Sequence, residues 1–201
     1  QKPEAHNSRA HVVLIPAEVS EGIKRAARSA SVPVKSMLLA AHLKVLSILS
    51  GQQDVMSGLV TNGRLEVEDG ERVLGLFLNT LPFRLGVERG SWIDLARQTF
   101  QAEREMLPYR RYPLPHLQKL QGGEPLYEAA FNFAHFHVYE SMVGFKDLQL
   151  ISARSYMETN FALLANFGLN VATTQVQLAL EYNSAELSSE QIDLIGDYYL
   201  R

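Results

Sequence analysis

The 201 residues contain no cysteine. Disulfides, thiolate metal sites and cysteine nucleophiles are therefore excluded together, and the sequence is indifferent to redox compartment. Neither Gly-x-Gly-x-x-Gly nor a Gly-Lys-Ser/Thr phosphate loop occurs, and Ser57 sits in Met-Ser-Gly rather than in a Gly-x-Ser-x-Gly elbow. A glycine-loop nucleotide site and a strand-to-helix serine nucleophile are thus not indicated. No charge of one sign dominates: 19 Lys+Arg stand against 22 Asp+Glu, for a net charge of -3. Such a balance offers no polyanion-binding surface, so no nucleic-acid partner is expected. Long apolar runs are missing too, since Val34 to Leu49 is broken by Lys35, His42 and Lys44. No signal peptide, membrane span or membrane partner is expected, and a cytoplasmic location is.

What is present is 46% hydrophobic and 20% charged residues, the profile of one globular domain or two small lobes. Gln1 to Ala10 is polar and reads as a linker or tail, with residues 11-201 as the folded unit. Val12 to Ile15 is strand-like, and Val19, Ile23, Ala26, Ala27 and Ala30 recur at helical spacing. Pro33 and Gly51 bracket a helix whose apolar stripe is so broad that it must be largely buried. Strands are expected at Asp54 to Thr61 and Leu74 to Leu85, separated by an acidic loop. Ser91 and Asp94 cap a helix that stops at Pro108, and prolines 108, 113 and 115 make a stiff connector. A long aromatic strand at Leu126 to Tyr139 precedes strands near Leu148 to Ala153, Phe161 to Val171 and Val176 to Tyr182. Ser188 and Gln191 cap a terminal helix. The order β-α-α-β-β-α-β-β-β-β-α suits an α/β (α+β) fold, a mixed sheet covered by helices.

Three clusters invite chemistry. His135 and His137 share a strand face and could chelate one metal ion with a third ligand, but a bare pair specifies little, and the reading preferred is an aromatic face whose imidazoles hydrogen-bond sheet neighbours or line a channel. Glu66, Glu68, Asp69 and Glu71 could attract a cation, although a solvated loop explains them as well. Arg110 and Arg111, flanked by Tyr109 and Tyr112, could contact a phosphate group or simply occupy an exposed loop.

Several stretches, in order, resemble the C-terminal half of a condensation domain from a non-ribosomal peptide synthetase. Leu74-Gly75-Leu76-Phe77-Leu78-Asn79-Thr80-Leu81-Pro82-Phe83-Arg84 is similar to the family's Gly-x-Phe-Val-Asn-Thr-x-x-x-Arg motif. Ser57 to Arg64 resembles its Val-Gly-x-Pro-x-x-x-Arg strand end, Tyr112-Pro113 keeps part of its Tyr-Pro-Phe-Glu stretch, and Leu180-Glu181-Tyr182-Asn183 matches its closing Leu-Glu-Tyr-Asn.

The resemblance implies a chloramphenicol-acetyltransferase-like lobe, one half of a V-shaped pair enclosing a tunnel. The implied partners are the N-terminal lobe of the same domain and donor and acceptor peptidyl carrier proteins, whose phosphopantetheine arms deliver a thioester and an amine for amide formation. No covalently bound cofactor is expected. The family's catalytic His-His-x-x-x-Asp-Gly does not occur here, since none of the six histidines adjoins another. The fragment alone is therefore expected to be inactive, with no catalytic or metal residue of its own. Tunnel or structural roles fall on Asn62, Arg64, Gly75, Asn79, Thr80 and Arg84, with Asn79 and Arg84 read as holding neighbouring strands by buried hydrogen bonds. Arg110 and Arg111 are the possible carrier or phosphate contact. By the same resemblance the loop from Asn62 to Gly75 bridges the two halves, and the stretch after His135 reaches across as a latch. Two other functions fit the sequence: a non-catalytic module that binds a carrier protein, and a coenzyme A-dependent acyltransferase of the same fold.

Overall fold

A computed structural model describes residues 7–134 and 160–201. Its elements are β1 (Ser8–Val13), α1 (Ala17–Ala30), α2 (Val34–Ser50), β2 (Asp54–Asn62), β3 (Leu78–Gly86), α3 (Trp92–Met106), α4 (Leu114–Leu120), β4 (Ala129–Ala134), β5 (Leu163–Leu169), β6 (Val176–Asn183) and α5 (Ser189–Leu200). The six strands form one mixed sheet in the order β1-β6-β5-β4-β2-β3. β4 runs parallel to both β2 and β5, and the remaining pairs are antiparallel.

Helix boundaries follow local chemistry. Helix α1 ends because Ser31 takes a left-handed conformation (φ 57°), so that its N–H reaches the Arg28 carbonyl and the Val32 N–H reaches that of Ala27. Gly51 performs the same turn after α2, at φ 68°. The Ser91 hydroxyl accepts from the Asp94 N–H at the start of α3, and Ser188 and Gln191 exchange reciprocal bonds at the start of α5.

Helix α2 lacks a polar face. Met37, Leu38, Leu39, Ala40, Leu43 and Val45 are all buried, because α1 and α3 flank it while the sheet lies beneath. Leu39, Leu43, Leu59, Phe131, Leu178, Leu180 and Ile192 form the densest part of the core, each worth about 1.5–3 kcal/mol relative to exposure. Helices α1, α2, α3 and α5 share this one face of the sheet with Val55, Phe83, Phe131 and Phe167. Among the described residues no single helix is long and apolar enough to cross a membrane, and α1 and α2, which would qualify jointly, meet at 106°.

Several elements depart from the sequence reading. β1 runs from Ser8, inside the stretch read as a tail, because its backbone pairs Ser8 with Asn183 and Arg9 with Tyr182; a backbone ladder needs no apolar side chain to form. β3 starts at Leu78 rather than Leu74, since Leu74 and Leu76 are 96% and 86% exposed in a loop. The proline-rich connector contains α4, with Pro113 as its N-cap and Pro115 in its first turn, where a missing N–H costs nothing. β4 is described only to Ala134, so His135, His137, Tyr139, the proposed latch and the strand near Leu148 lie outside the described residues.

On the opposite face Tyr127 lies across Gly58, and its hydroxyl donates to the Thr80 carbonyl at 3.1 Å. A β-carbon at position 58 would collide with the Tyr127 ring and come within 2.9 Å of Thr80 Cγ2. Gly58→Val is expected to lower stability in urea unfolding by about 1–3 kcal/mol, the usual cost of overpacking. A Tyr127→Ala background should recover part of that loss; strictly additive losses would show that the ring is not the obstacle.

Candidate functional site

Of the residues selected from sequence, Asn62, Arg64, Gly75, Asn79, Arg110 and Arg111 converge on one junction, where the end of β2, the loop 63–77 and the start of β3 meet the turn that follows α3. The Gly63 N–H donates to the Phe77 carbonyl at 2.7 Å, closing the neck of the loop. Inside it, the Arg64 guanidinium donates to the carbonyls of Gly70 (3.0 Å) and Val73 (2.6 Å) and stacks 4.3 Å from the centre of the Phe77 ring. The Asn62 side chain accepts from the Arg64 N–H at 2.9 Å, and Gly75 takes φ 150° beside Phe77.

The second half of the junction comes from residues 107–113. Asn79 Nδ2 donates to the carbonyls of Arg110 (3.1 Å) and Tyr112 (2.8 Å), while Thr61 Oγ1 donates to the Asn79 carbonyl at 3.1 Å. Arg111 donates to the carbonyls of Gly63 (2.8 Å) and Arg64 (3.2 Å), and Arg110 pairs with Glu66 at 2.8 Å. The two guanidinium groups read as a phosphate contact thus bond to loop 63–77 itself. Asn79 ties β3 to this turn rather than to a neighbouring strand, whereas Thr80 bonds through its carbonyl to Tyr127 and not to the turn.

Arg84 is not part of this junction. It forks onto Asp54 of the adjacent strand, with Nε–Oδ1 at 2.9 Å and Nη2–Oδ2 at 2.5 Å, and the guanidinium holds the Asp54 carboxyl below its usual range. Its side chain is 66% exposed, so this is a solvated cross-strand pair and not the buried bond expected.

Chemically the junction is a loop anchor. Most of its donors are directed at backbone carbonyls, no histidine or serine is among the residues that make it, and its one carboxylate, Glu66, is paired with Arg110. Among the described residues no group of three or more potential metal ligands occurs. Three surface clefts, of ≈ 880, ≈ 640 and ≈ 290 Å³, are lined by other residues.

Two polar clusters were missed in the sequence. His42, in the middle of α2, is fully buried between Tyr199 Oη (2.6 Å from Nδ1) and Ser57 Oγ (2.7 Å from Nε2). The Ser57 hydroxyl donates to the Ala129 carbonyl at 3.1 Å, which leaves its oxygen to accept from Nε2–H, so that Nδ1 accepts from Tyr199. Burial pushes the imidazole pKa down to about 3 and raises that of Tyr199. This serine–histidine pair resembles a nucleophile and its base but is sealed inside the core. A lone histidine in an otherwise apolar helix was the available signal.

The second cluster crosses three strands on the face opposite the helices. Asn132 Nδ2 donates to Asn166 Oδ1 at 3.0 Å, and Asn166 Nδ2 donates to Glu181 Oε1 at 3.2 Å. Glu181 is 7% exposed, its Oε2 has no partner, and burial raises its pKa. Period-two placement on paired strands unites these residues, and only the strand register could have revealed it.

The family model described as "Condensation domain" matches residues 1–201. The AMB antimetabolite synthetase AmbE of Pseudomonas aeruginosa is 30% identical over 185 residues, which cover 92% of this chain and 8% of that protein. The condensation domain of the Monacolin K polyketide synthase MokA superposes with a TM-score of 0.81 at 19% identity, over 98% of this chain and 46% of that one. The X-domain from teicoplanin biosynthesis, solved in complex with OxyB, superposes with a TM-score of 0.79 at 14% identity, over 98% and 45%. The chain thus spans less than half of each of these structures and a small part of the synthetase.

His42 gives this core a pH signature. Unfolded, it takes up a proton near pH 6.5; folded, it resists protonation down to about 3. Its contribution is fully present above pH 6.5 and is lost as pH falls, by about 1.4 kcal/mol per unit, or about 2 kcal/mol by pH 5. The raised pKa of Glu181 acts in the opposite sense, favouring the fold as pH falls. The difference in urea stability between the parent chain and His42→Gln, followed from pH 7 to 5, isolates the histidine and should shrink by that amount. A difference independent of pH would refute the assignment.

Proposed function

The chain belongs to the condensation-domain family, and on that footing we propose that it is the C-terminal lobe of a peptide-bond-forming domain, supplying one wall of a reaction tunnel and the loop that joins the two lobes. The reaction is attack of a carrier-tethered amine on a carrier-tethered thioester carbonyl. A C–N bond forms, the C–S bond breaks, and the thiol leaves with a proton given up by the amine. The phosphopantetheine arms belong to the carriers and enter as substrate. The histidine of His-His-x-x-x-Asp-Gly belongs to the other lobe in this reading, and the present residues contribute orientation, which can lower the barrier of a bimolecular step by several kcal/mol.

The observation that carries the reading is the loop 63–77. Its backbone is held by Arg64 and Arg111 and its Glu66 side chain by Arg110, yet Leu65, Val67, Leu74 and Leu76 stand exposed, as does Leu78 at the start of β3. A rigidly anchored loop that displays aliphatic side chains to water is built to meet another surface. Among the described residues α1, α2, α3 and α5 pack on the sheet face opposite Asn132, Asn166 and Glu181, which supports the same picture by reserving the polar face for the tunnel side. A second reading, a binding module without catalysis, is favoured by the X-domain, a neighbour of the same fold solved with a protein partner.

The test joins this chain to an N-terminal lobe carrying His-His-x-x-x-Asp-Gly and supplies loaded donor and acceptor carriers. Dipeptide should form only when both lobes are present. Leu74→Asp with Leu76→Asp should cut product formation by about tenfold or more, as expected for central interface anchors, with the circular dichroism of this lobe unchanged. No product from the joined lobes, under conditions where an established condensation domain turns over, would reject the enzymatic reading. Saturable binding of a holo carrier in that event would establish the second.

A further inference from the structure

A groove runs along the helix layer between α1 and α5 with α2 as its floor, on the side of the sheet away from the proposed tunnel wall. It encloses ≈ 640 Å³ and is lined by Val19 and Ile23 of α1, Ala41 and Ile48 of α2, and Tyr198 of α5, with no Asp or Glu side chain in its lining. Trp92, at the start of α3, is 51% exposed and stands where this groove adjoins the ≈ 290 Å³ cleft that contains Lys44 and Arg89. Lys44 lines both depressions, and Arg201 lines the groove.

The charge at this place departs from the chain average. Lys44, Arg89 and Arg201 form no ion pair with any of the described residues, although the chain as a whole carries a net charge of -3. Glu88 is the single carboxylate beside them, in the smaller cleft. An aliphatic trench between two helices suits a third helix, which presents apolar residues at i, i+3, i+4 and i+7 from one side. Unpaired cations along its margin select acidic residues on that helix's flanks.

We propose that this groove seats an amphipathic helix of a partner protein, its apolar face against Ile23, Ala41 and Ile48 and its acidic flank against Lys44 and Arg89. The proposal does not rest on the tunnel reading, because it concerns the other face of the sheet and requires no condensation activity.

Trp92 is the only tryptophan in the chain, so its emission reports on the groove directly. The 201-residue chain is titrated with a synthetic helical peptide of about four turns, carrying leucine on one face and glutamate on both flanks, and with a twin carrying lysine in place of glutamate. The acidic peptide should shift Trp92 emission to the blue saturably. The basic twin should bind about tenfold more weakly or worse, and added salt should narrow the gap. Ile48→Glu, a substitution at a half-exposed position, should abolish the shift, and Lys44→Glu with Arg89→Glu should reverse the preference between the peptides, with circular dichroism confirming that each variant is folded. Equal response to both peptides, or none to either, overturns the proposal. So does a shift produced by phosphatidylglycerol vesicles but not by peptide, which would make the groove a membrane contact. A shift that grows with the chain's own concentration and blocks the peptide would assign the groove to a second copy.

Discussion

An apolar helix with one imidazole in its middle sets the terms for the rest of this molecule. Because most of α2 is apolar, the greater part of its surface must be covered by α1, α3 and the sheet. Because His42 sits in it, that enclosure has to supply a hydrogen-bond partner at each ring nitrogen, or leave polar atoms stranded in the core. Ser57 and Tyr199 meet the requirement from β2 and α5, and Ala129 of β4 completes the chain of donors and acceptors. One side chain thereby fixes the relative placement of two helices and two neighbouring strands. The contact is directional where the surrounding aliphatic packing is not.

The placement produces a division of labour between the faces of the sheet. Hydrophobic mass lies on the helix side, and the loop anchor closes one end of β2 and β3. The other face carries the asparagine–glutamate ladder, and among the described residues it is Tyr127 that packs there over Gly58. Polar groups in this protein act mainly on the backbone: Arg64, Arg111, Asn79 and Thr61 all address carbonyl oxygens. Such contacts give geometry rather than reactivity.

Much of the fold was legible in the sequence because its signals were local. Helical periodicity marked α1 and α2, a serine with a partner three residues on marked α3 and α5, and alternation marked β6. Ser8 to Ala10 escaped because pairing through the backbone leaves no hydrophobic trace, and Leu74 and Leu76 misled because exposed leucines look like strand core. The site was less legible. Asn79 and Arg64 stood out as tunnel or structural residues, but their hydrogen-bond partners lie 31 and 33, or 6 and 9, residues away in turns that no periodicity describes. The Asn132–Asn166–Glu181 ladder depends on which strands lie side by side, a fact of topology carried by no single segment.

Because Arg64 and Arg111 grip carbonyl oxygens and Arg110 holds only the Glu66 carboxylate, the course of the chain between Gly63 and Phe77 is set without reference to most of the side chains it carries. Leu65, Val67, Leu74 and Leu76 make no contribution to that grip. The segment behaves as a fixed frame with exchangeable fittings: its outward residues are free to be replaced to match a different neighbour while the track beneath them keeps its shape. Variation in what this segment meets is thereby decoupled from the integrity of the fold itself.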